Sequence, residues 1–152
     1  MRDIHEVIAQ LSLQPHPEGG YYRETWRSEA QCDDGRAMAT GILFLLPGGV
    51  TSRWHRTDGE EIWIYQGGDP LTLHIHSEEG GASHVIGLEN APQAVVPAHA
   101  WQSATSNGSW TLVCCIVSPG FEFSTFEMAP PDWAPDSPLI PFFKPSSQSG
   151  RP

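Results

Sequence analysis

Apolar and polar positions change their period near residue 20. Before it, Ile4, Val7, Ile8 and Leu11 recur at helical spacing and form one face of a short helix. Asp3 stands at the N-cap position, and Glu6 three residues later completes a capping box. The pattern stops at Pro15. From Gly20 onward the period is two. Glu61, Trp63 and Tyr65 share one face of a strand over Glu61–Gln66, with Ile62 and Ile64 on the other. Leu71, Leu73 and Ile75 oppose Thr72, His74 and His76 in the next strand. Tyr21–Arg27, Thr40–Leu46, Thr51–Arg56, Ser83–Leu88, Ala94–Val96, Gln102–Thr105 and Trp110–Val117 complete the series. Turns at Pro47-Gly48-Gly49 and Asp58-Gly59 punctuate it. Many short strands separated by Gly and Pro predict a mainly β sandwich or barrel with one N-terminal helix.

Composition agrees. The chain has 15 Gly and 14 Pro against only 17% charged residues, which favours strands and turns over long helices. Its 152 residues suffice for one domain with its own core. The period-two region and its helix make up a domain over 1–128. The stretch 129–152 is rich in Pro and Ser, with Trp133, Leu139, Ile140, Phe142 and Phe143 interspersed. It is expected to drape over the domain or a neighbouring subunit, with Ser146–Pro152 disordered. The three cysteines show neither a disulfide framework nor zinc spacing; Cys114 is expected in the core and Cys115 on the opposite face. No signal peptide opens the chain and no apolar run spans a bilayer, so a reducing cytoplasm is the expected compartment and no membrane partner is expected.

A net charge of −10 repels a phosphate backbone and disfavours nucleic acid as a partner. Arg23, Arg27, Arg53 and Arg56 nonetheless make up half of the eight basic residues. They either grip an anionic small molecule or pair with surface carboxylates.

The segment Gly49–Gly68 carries the chemistry. It contains Gly49, His55, Thr57, Glu61 and Gly68. Two strands joined by a turn alternate their side chains, so residues 55, 57 and 61 can converge inside a barrel. This spacing resembles the first cupin motif, in which a Gly precedes His-x-His, a Glu and a second Gly; Thr57 takes the place of the second His. Pro97-Ala98-His99-Ala100-Trp101-Gln102 is similar to the second motif, with His99 where that motif has Gly and Gln102 in the position of its His ligand. Thr and Gln in two of four ligand positions leave one imidazole, one carboxylate and weak neutral oxygens. No cofactor is therefore expected, and His55, Glu61 and Gln102 offer at most a weak divalent-metal site. His74 and His76 form an i, i+2 pair outside the motif and are expected to face solvent.

The likeness extends further. Leu13-Gln14-Pro15-His16-Pro17-Glu18-Gly19-Gly20-Tyr21-Tyr22-Arg23-Glu24, Trp54-His55-Arg56, Glu61-Ile62-Trp63 and Pro119-Gly120-Phe121-Glu122-Phe123 together resemble the cupin family called domain of unknown function 985. That resemblance implies a double-stranded β-helix, usually a homodimer, without a firmly assigned activity. It is similar in fold to the dTDP-sugar 3,5-epimerases, which use a strand His to remove a proton beside a ketone. By this likeness His55 is the candidate base and Glu61 the residue that orients it. Arg23, Arg53 and Gln102 are candidates for steadying enolate charge. Tyr22, Glu24, Thr57, Trp63, Tyr65 and Trp101 complete the candidate ligand-binding set. Three functions remain in competition: an isomerase or epimerase of a carbonyl-bearing, sugar-like anion; a non-catalytic ligand-binding cupin; and a metal-dependent oxygenase or decarboxylase, which Thr57 and Gln102 disfavour. His16 is read as structural, within a glycine-bearing turn.

Overall fold

The period-two region folds into two six-stranded sheets that face one another. The computed structural model describes residues 1–135 and 139–140. Its elements are α1 (Ile4–Gln10), β1 (Gln14–Pro15), β2 (Tyr21–Arg27), β3 (Thr40–Pro47), β4 (Thr51–Arg56), β5 (Glu60–Gly68), β6 (Leu71–Ser77), β7 (Gly80–Ile86), β8 (Gln93–Val96), β9 (Trp101–Ser106), β10 (Trp110–Ser118), β11 (Glu127–Met128) and β12 (Leu139–Ile140). One sheet runs β1-β2-β3-β10-β5-β8 and the other β11-β4-β9-β6-β7-β12. Successive strands alternate between the sheets from β3 to β6 and from β7 to β11, as in a jelly roll, and all strand pairings are antiparallel except β12 with β7.

The inward faces are those the alternation predicts. Phe44 and Leu46 from β3, Trp63 from β5, Leu71, Leu73 and Ile75 from β6, and Val113 and Cys115 from β10 form one cluster between the sheets. Each such large side chain, fully buried, contributes about 1.5–3 kcal/mol. A second, smaller cluster lies outside the first sheet, where Val7 of α1 packs on Leu45 and Trp110. Asp3 caps α1 by accepting from the amide of His5 at 2.8 Å.

Two expectations are corrected. Cys115, not Cys114, is the buried cysteine. In the β10–β5 register Cys115 stands opposite Trp63, so the inward indole puts its neighbour on the same inner face. The seventh strand begins at Gly80 rather than Ser83, because Ser77 pairs with Gly80 across a two-residue hairpin loop. Leu88, expected within that strand, is exposed outside it. The short strands β1 and β11 carry no alternation to read and appear only as partners of β2 and β4.

After β11 the chain crosses the outer face of the second sheet. The Ala129 amide donates to the Trp54 carbonyl, and Trp133 packs edge-on to Trp54 and lies 4.6 Å from Trp101 between ring centroids. The expected disorder of Ser146–Pro152, and Phe142 and Phe143, fall outside the described residues. Among the described residues no helix is long and apolar enough to cross a membrane.

Candidate functional site

Trp63 fills the middle of the barrel, and beyond it a cavity of about 250 Å³ remains at the end bounded by β2, β4, β5 and β10. Its floor is polar. His55 from β4, Glu61 from the start of β5, and His16 and Glu18 from the turn between β1 and β2 all line it and are all buried. That turn depends on two consecutive glycines with left-handed backbone, Gly19 at φ 104° and Gly20 at φ 78°. A Cβ on Gly20 would sit 2.7 Å from the Leu45 carbonyl oxygen. The tight turn is closed by the His16 amide donating to the Gly20 carbonyl at 2.9 Å. The chain thereby swings both His16 and Glu18 inward.

Glu18 stands between the two imidazoles. Its Oε1 is 3.4 Å from His16 Nδ1, and its Oε2 is 3.4 Å from His55 Nδ1. Oε2 also accepts a hydrogen bond from the Ser52 hydroxyl. Full burial raises the Glu18 carboxyl to about 8, so it is protonated at neutral pH. Burial lowers His16 to about 4, helped by the nearby His55, and lowers His55 as well. The cluster is therefore uncharged at pH 7: a carboxylic acid between two neutral imidazoles. A protonated Glu18 suits every neighbour. Its hydroxyl at Oε1 faces the unprotonated His16 Nδ1, and its carbonyl oxygen at Oε2 faces the Ser52 and His55 donors.

The backbone sets which nitrogen of each ring holds the proton. His55 Nδ1 lies 2.7 Å from the Arg53 carbonyl, which only accepts, so Nδ1 carries the hydrogen and Nε2 keeps its lone pair. His16 Nδ1 accepts from the Glu18 amide at 3.1 Å, so its hydrogen is on Nε2. Among the described residues neither Nε2 has a protein partner.

Glu61 closes the other side. Gln102 Nε2 donates to Glu61 Oε1 at 2.8 Å, and Gln102 Oε1 accepts from Trp63 Nε1 at 2.8 Å. Burial pushes both the Glu61 carboxyl and the nearby Cys115 thiol upward.

The upper wall is aromatic. Tyr22, Phe121, Phe123 and Phe126 line it, and Phe126 lies 5.3 Å from the His55 ring. The segment bearing the three Phe is tied down by Arg36. Its guanidinium makes a two-pronged bond with Asp58 at 2.8 Å on each arm, and its Nε donates to the Gly120 carbonyl. This pairing holds the Asp58 carboxyl below the usual carboxylate range.

Of the residues singled out in the sequence, Tyr22, Glu24, His55, Thr57 and Glu61 line the cavity. Gln102 touches it only through Glu61, and Trp63 is core. The others point elsewhere. The Tyr65 hydroxyl donates to the Gly68 carbonyl, and Trp101 lies on the outer face beneath Arg56. The arginines do not converge as an anion grip. Arg23 donates to the Leu11 carbonyl, Arg53 to Ala129 and Arg56 to Glu127. Arg27 reaches the cavity mouth, yet Glu24 and Glu122 hold it. Outward-facing strand positions explain this: the long side chains meet backbone carbonyls and carboxylates of neighbouring segments first. His16, Glu18 and the Phe wall were missed as site residues. Only the two adjacent glycines after His16 and Glu18 signalled an unusual local backbone.

The comparisons with known proteins fit this geometry. The family model of the cupin superfamily (DUF985) matches residues 5–129. The chain belongs to that cupin family. A crystal structure of a protein from Shewanella oneidensis is 37% identical to this cupin, with 85% of each chain covered and a TM-score of 0.80. A hypothetical protein from Leishmania major is 32% identical over 84% of this chain and 88% of that one, with a TM-score of 0.76. A variant of Bacillus subtilis oxalate decarboxylase shares the fold at 15% identity and a TM-score of 0.58, over 75% of this chain and 29% of that chain. No curated protein matches the sequence.

Many cupins hold a metal where His55, Thr57, Glu61 and Gln102 stand in this one. The donors do not fit that use. Gln102 turns its amide N–H toward Glu61 while its oxygen is taken by Trp63, and Thr57 Oγ1 donates to the Gly59 carbonyl. Among the described residues no three His, Cys, Asp or Glu side chains are grouped to hold a metal ion.

Proposed function

We propose that this cupin is an isomerase or epimerase of a small, neutral, carbonyl-bearing molecule, with His55 as the base. The observation that carries the reading is the His55 imidazole. It is neutral, held through Nδ1 by the Arg53 carbonyl, and so offers the Nε2 lone pair to the cavity it lines. His55 Nε2 takes the proton from the carbon beside the carbonyl. The C–H electron pair becomes a C=C bond, and the carbonyl pair moves onto oxygen. When the neighbouring carbon bears a hydroxyl, return of that proton from His55 to the former carbonyl carbon, with the hydroxyl proton passing to the former carbonyl oxygen, restores a carbonyl one carbon along.

Size and charge narrow the ligand. A cavity of about 250 Å³ lies just below the small end of ligand pockets, which run from roughly 300 to 1,000 Å³, and suits a molecule of monosaccharide size. The cavity's arginine, Arg27, is already paired with two carboxylates, so a neutral ligand fits better than an anion. The aromatic wall suits the C–H faces of such a ligand.

Incubation of the protein in D2O with short-chain aldoses and ketoses, from glyceraldehyde and dihydroxyacetone to the pentoses, tests the reading. Exchange of the α-proton, followed by NMR, is expected, and His55→Ala should abolish it. Saturable binding without exchange by the wild-type protein would instead support a non-catalytic ligand-binding cupin. Exchange that survives in folded His55→Ala removes the base assignment.

A further inference from the structure

We propose that His16 is the proton donor opposite His55, its Nε2–H placed to hydrogen-bond the carbonyl oxygen of the ligand while His55 Nε2 receives the α-proton. This rests on the carbonyl-isomerase reading and adds the group that steadies the charge. Proton abstraction beside a carbonyl leaves negative charge on oxygen, and without a donor there the base alone achieves little.

Three observations converge on His16. Its tautomer is the reverse of that of His55, because its Nδ1 faces an amide N–H and the other ring's Nδ1 faces a carbonyl. Both rings line the same cavity, and one carboxyl group, that of Glu18, contacts Nδ1 of each. Finally, His16 is gripped. The Tyr22 ring meets it edge-on at 4.5 Å and Phe44 at 5.7 Å, so the imidazole has little room to turn over. The cavity thus holds one fixed donor and one fixed acceptor, built from the same residue type and distinguished by their backbone partners. The titratable groups facing His16 are Glu18, His55 and Tyr22. Burial lowers the His16 imidazole to about 4, so it works as a neutral N–H donor and not as a cation. A neutral imidazole that polarises a carbonyl is an attested catalytic device. When the oxygen takes the His16 Nε2 proton, Nδ1 is left to accept from the protonated Glu18, and the hydroxyl on the neighbouring carbon returns a proton to Nε2 as the carbonyl re-forms there.

Two isosteric substitutions separate this role from a structural one. In His16→Asn the side-chain oxygen takes the place of Nδ1 and keeps the Glu18 amide contact, but the cavity donor is lost. In His16→Gln the amide nitrogen takes the place of Nε2 and keeps the donor, while the Glu18 amide contact is lost. The probe is the aldose or ketose that exchanges fastest with the wild-type protein in D2O. His16→Asn is expected to exchange it on the order of a hundredfold more slowly with KM little changed, and His16→Gln to recover much of the rate. A structural role predicts the reverse order. Nitrogen-15 NMR of the ligand-free wild type is expected to show His16 protonated at Nε2 and His55 at Nδ1 at pH 7. Asn at the wild-type rate, Gln no faster than Asn, or the opposite tautomer at His16 overturns the inference and leaves the role of His55 standing. No exchange with any sugar by the wild type removes the underlying reading, and the catalytic role of His16 with it.

Discussion

Glu18→Gln is the sharpest probe of the site. Gln mimics the protonated carboxyl: its oxygen can accept from Ser52 in place of Oε2, and its NH2 can face His16 Nδ1 in place of Oε1. It cannot ionise. In the wild-type protein Glu18 titrates near 8 when folded against 4.5 in an open chain. Between those values the folded protein keeps a proton that the unfolded chain has released. Stability therefore falls as pH rises through that window, by about 1.36 kcal/mol per pH unit, and levels off above the folded value. His16 opposes this trend in acid. Its folded value of about 4 lies below its open-chain value of 6.5, so its contribution is lost as pH falls below 6.5. From pH 6.5 to 8 the Glu18 effect is no longer offset by His16 and amounts to about 2 kcal/mol. Urea unfolding followed by tryptophan fluorescence at half-unit steps measures it. Wild type should lose about 2 kcal/mol relative to Glu18→Gln across that interval, with equal m-values. Parallel stability curves would mean that Glu18 is ionised at neutral pH, and the uncharged acid–imidazole cluster would be refuted.

Two other outcomes are expected. Trp63→Phe removes the indole N–H and leaves the buried Gln102 oxygen without its donor. It should cost about 1–3 kcal/mol, besides the volume lost, and lower Tm by several degrees in calorimetry. An unchanged Tm would show that the Trp63–Gln102–Glu61 chain does not tension the core. The assembly is expected to be a homodimer, since Trp26 and Phe123 remain about half exposed, at 50% and 53%. Light scattering at micromolar concentration should give twice the 16.7 kDa chain mass, and a monomer would contradict it.

Much of the fold was legible because burial in a two-layer β structure imposes a period of two. Leu71, Leu73 and Ile75 against Thr72, His74 and His76 show it, and their inward and outward faces are as the alternation predicts. The same period placed Glu61 and His55 inside. It misjudged Cys114 and Cys115 because both belong to an apolar run in which either register reads well; pairing with Trp63 settled it.

The site was legible where the motif spacing falls within one hairpin, as with His55, Thr57 and Glu61, and at Tyr22 and Glu24 of β2. Its remaining parts come from distant segments. His16 and Glu18 enter on a turn whose left-handed glycines the sequence shows but whose direction it does not. The Phe wall arrives from beyond β10, and the arginines end on carbonyls and carboxylates that only folding brings near. The linear order of side chains therefore determined the barrel and, within the site, one strand pair and two positions of β2. Which groups face each other across the cavity, which nitrogen of each imidazole holds its proton, and whether Glu18 is charged were decided by the tertiary structure, because hydrogen-bond partners and dehydration depend on segments far apart in the chain.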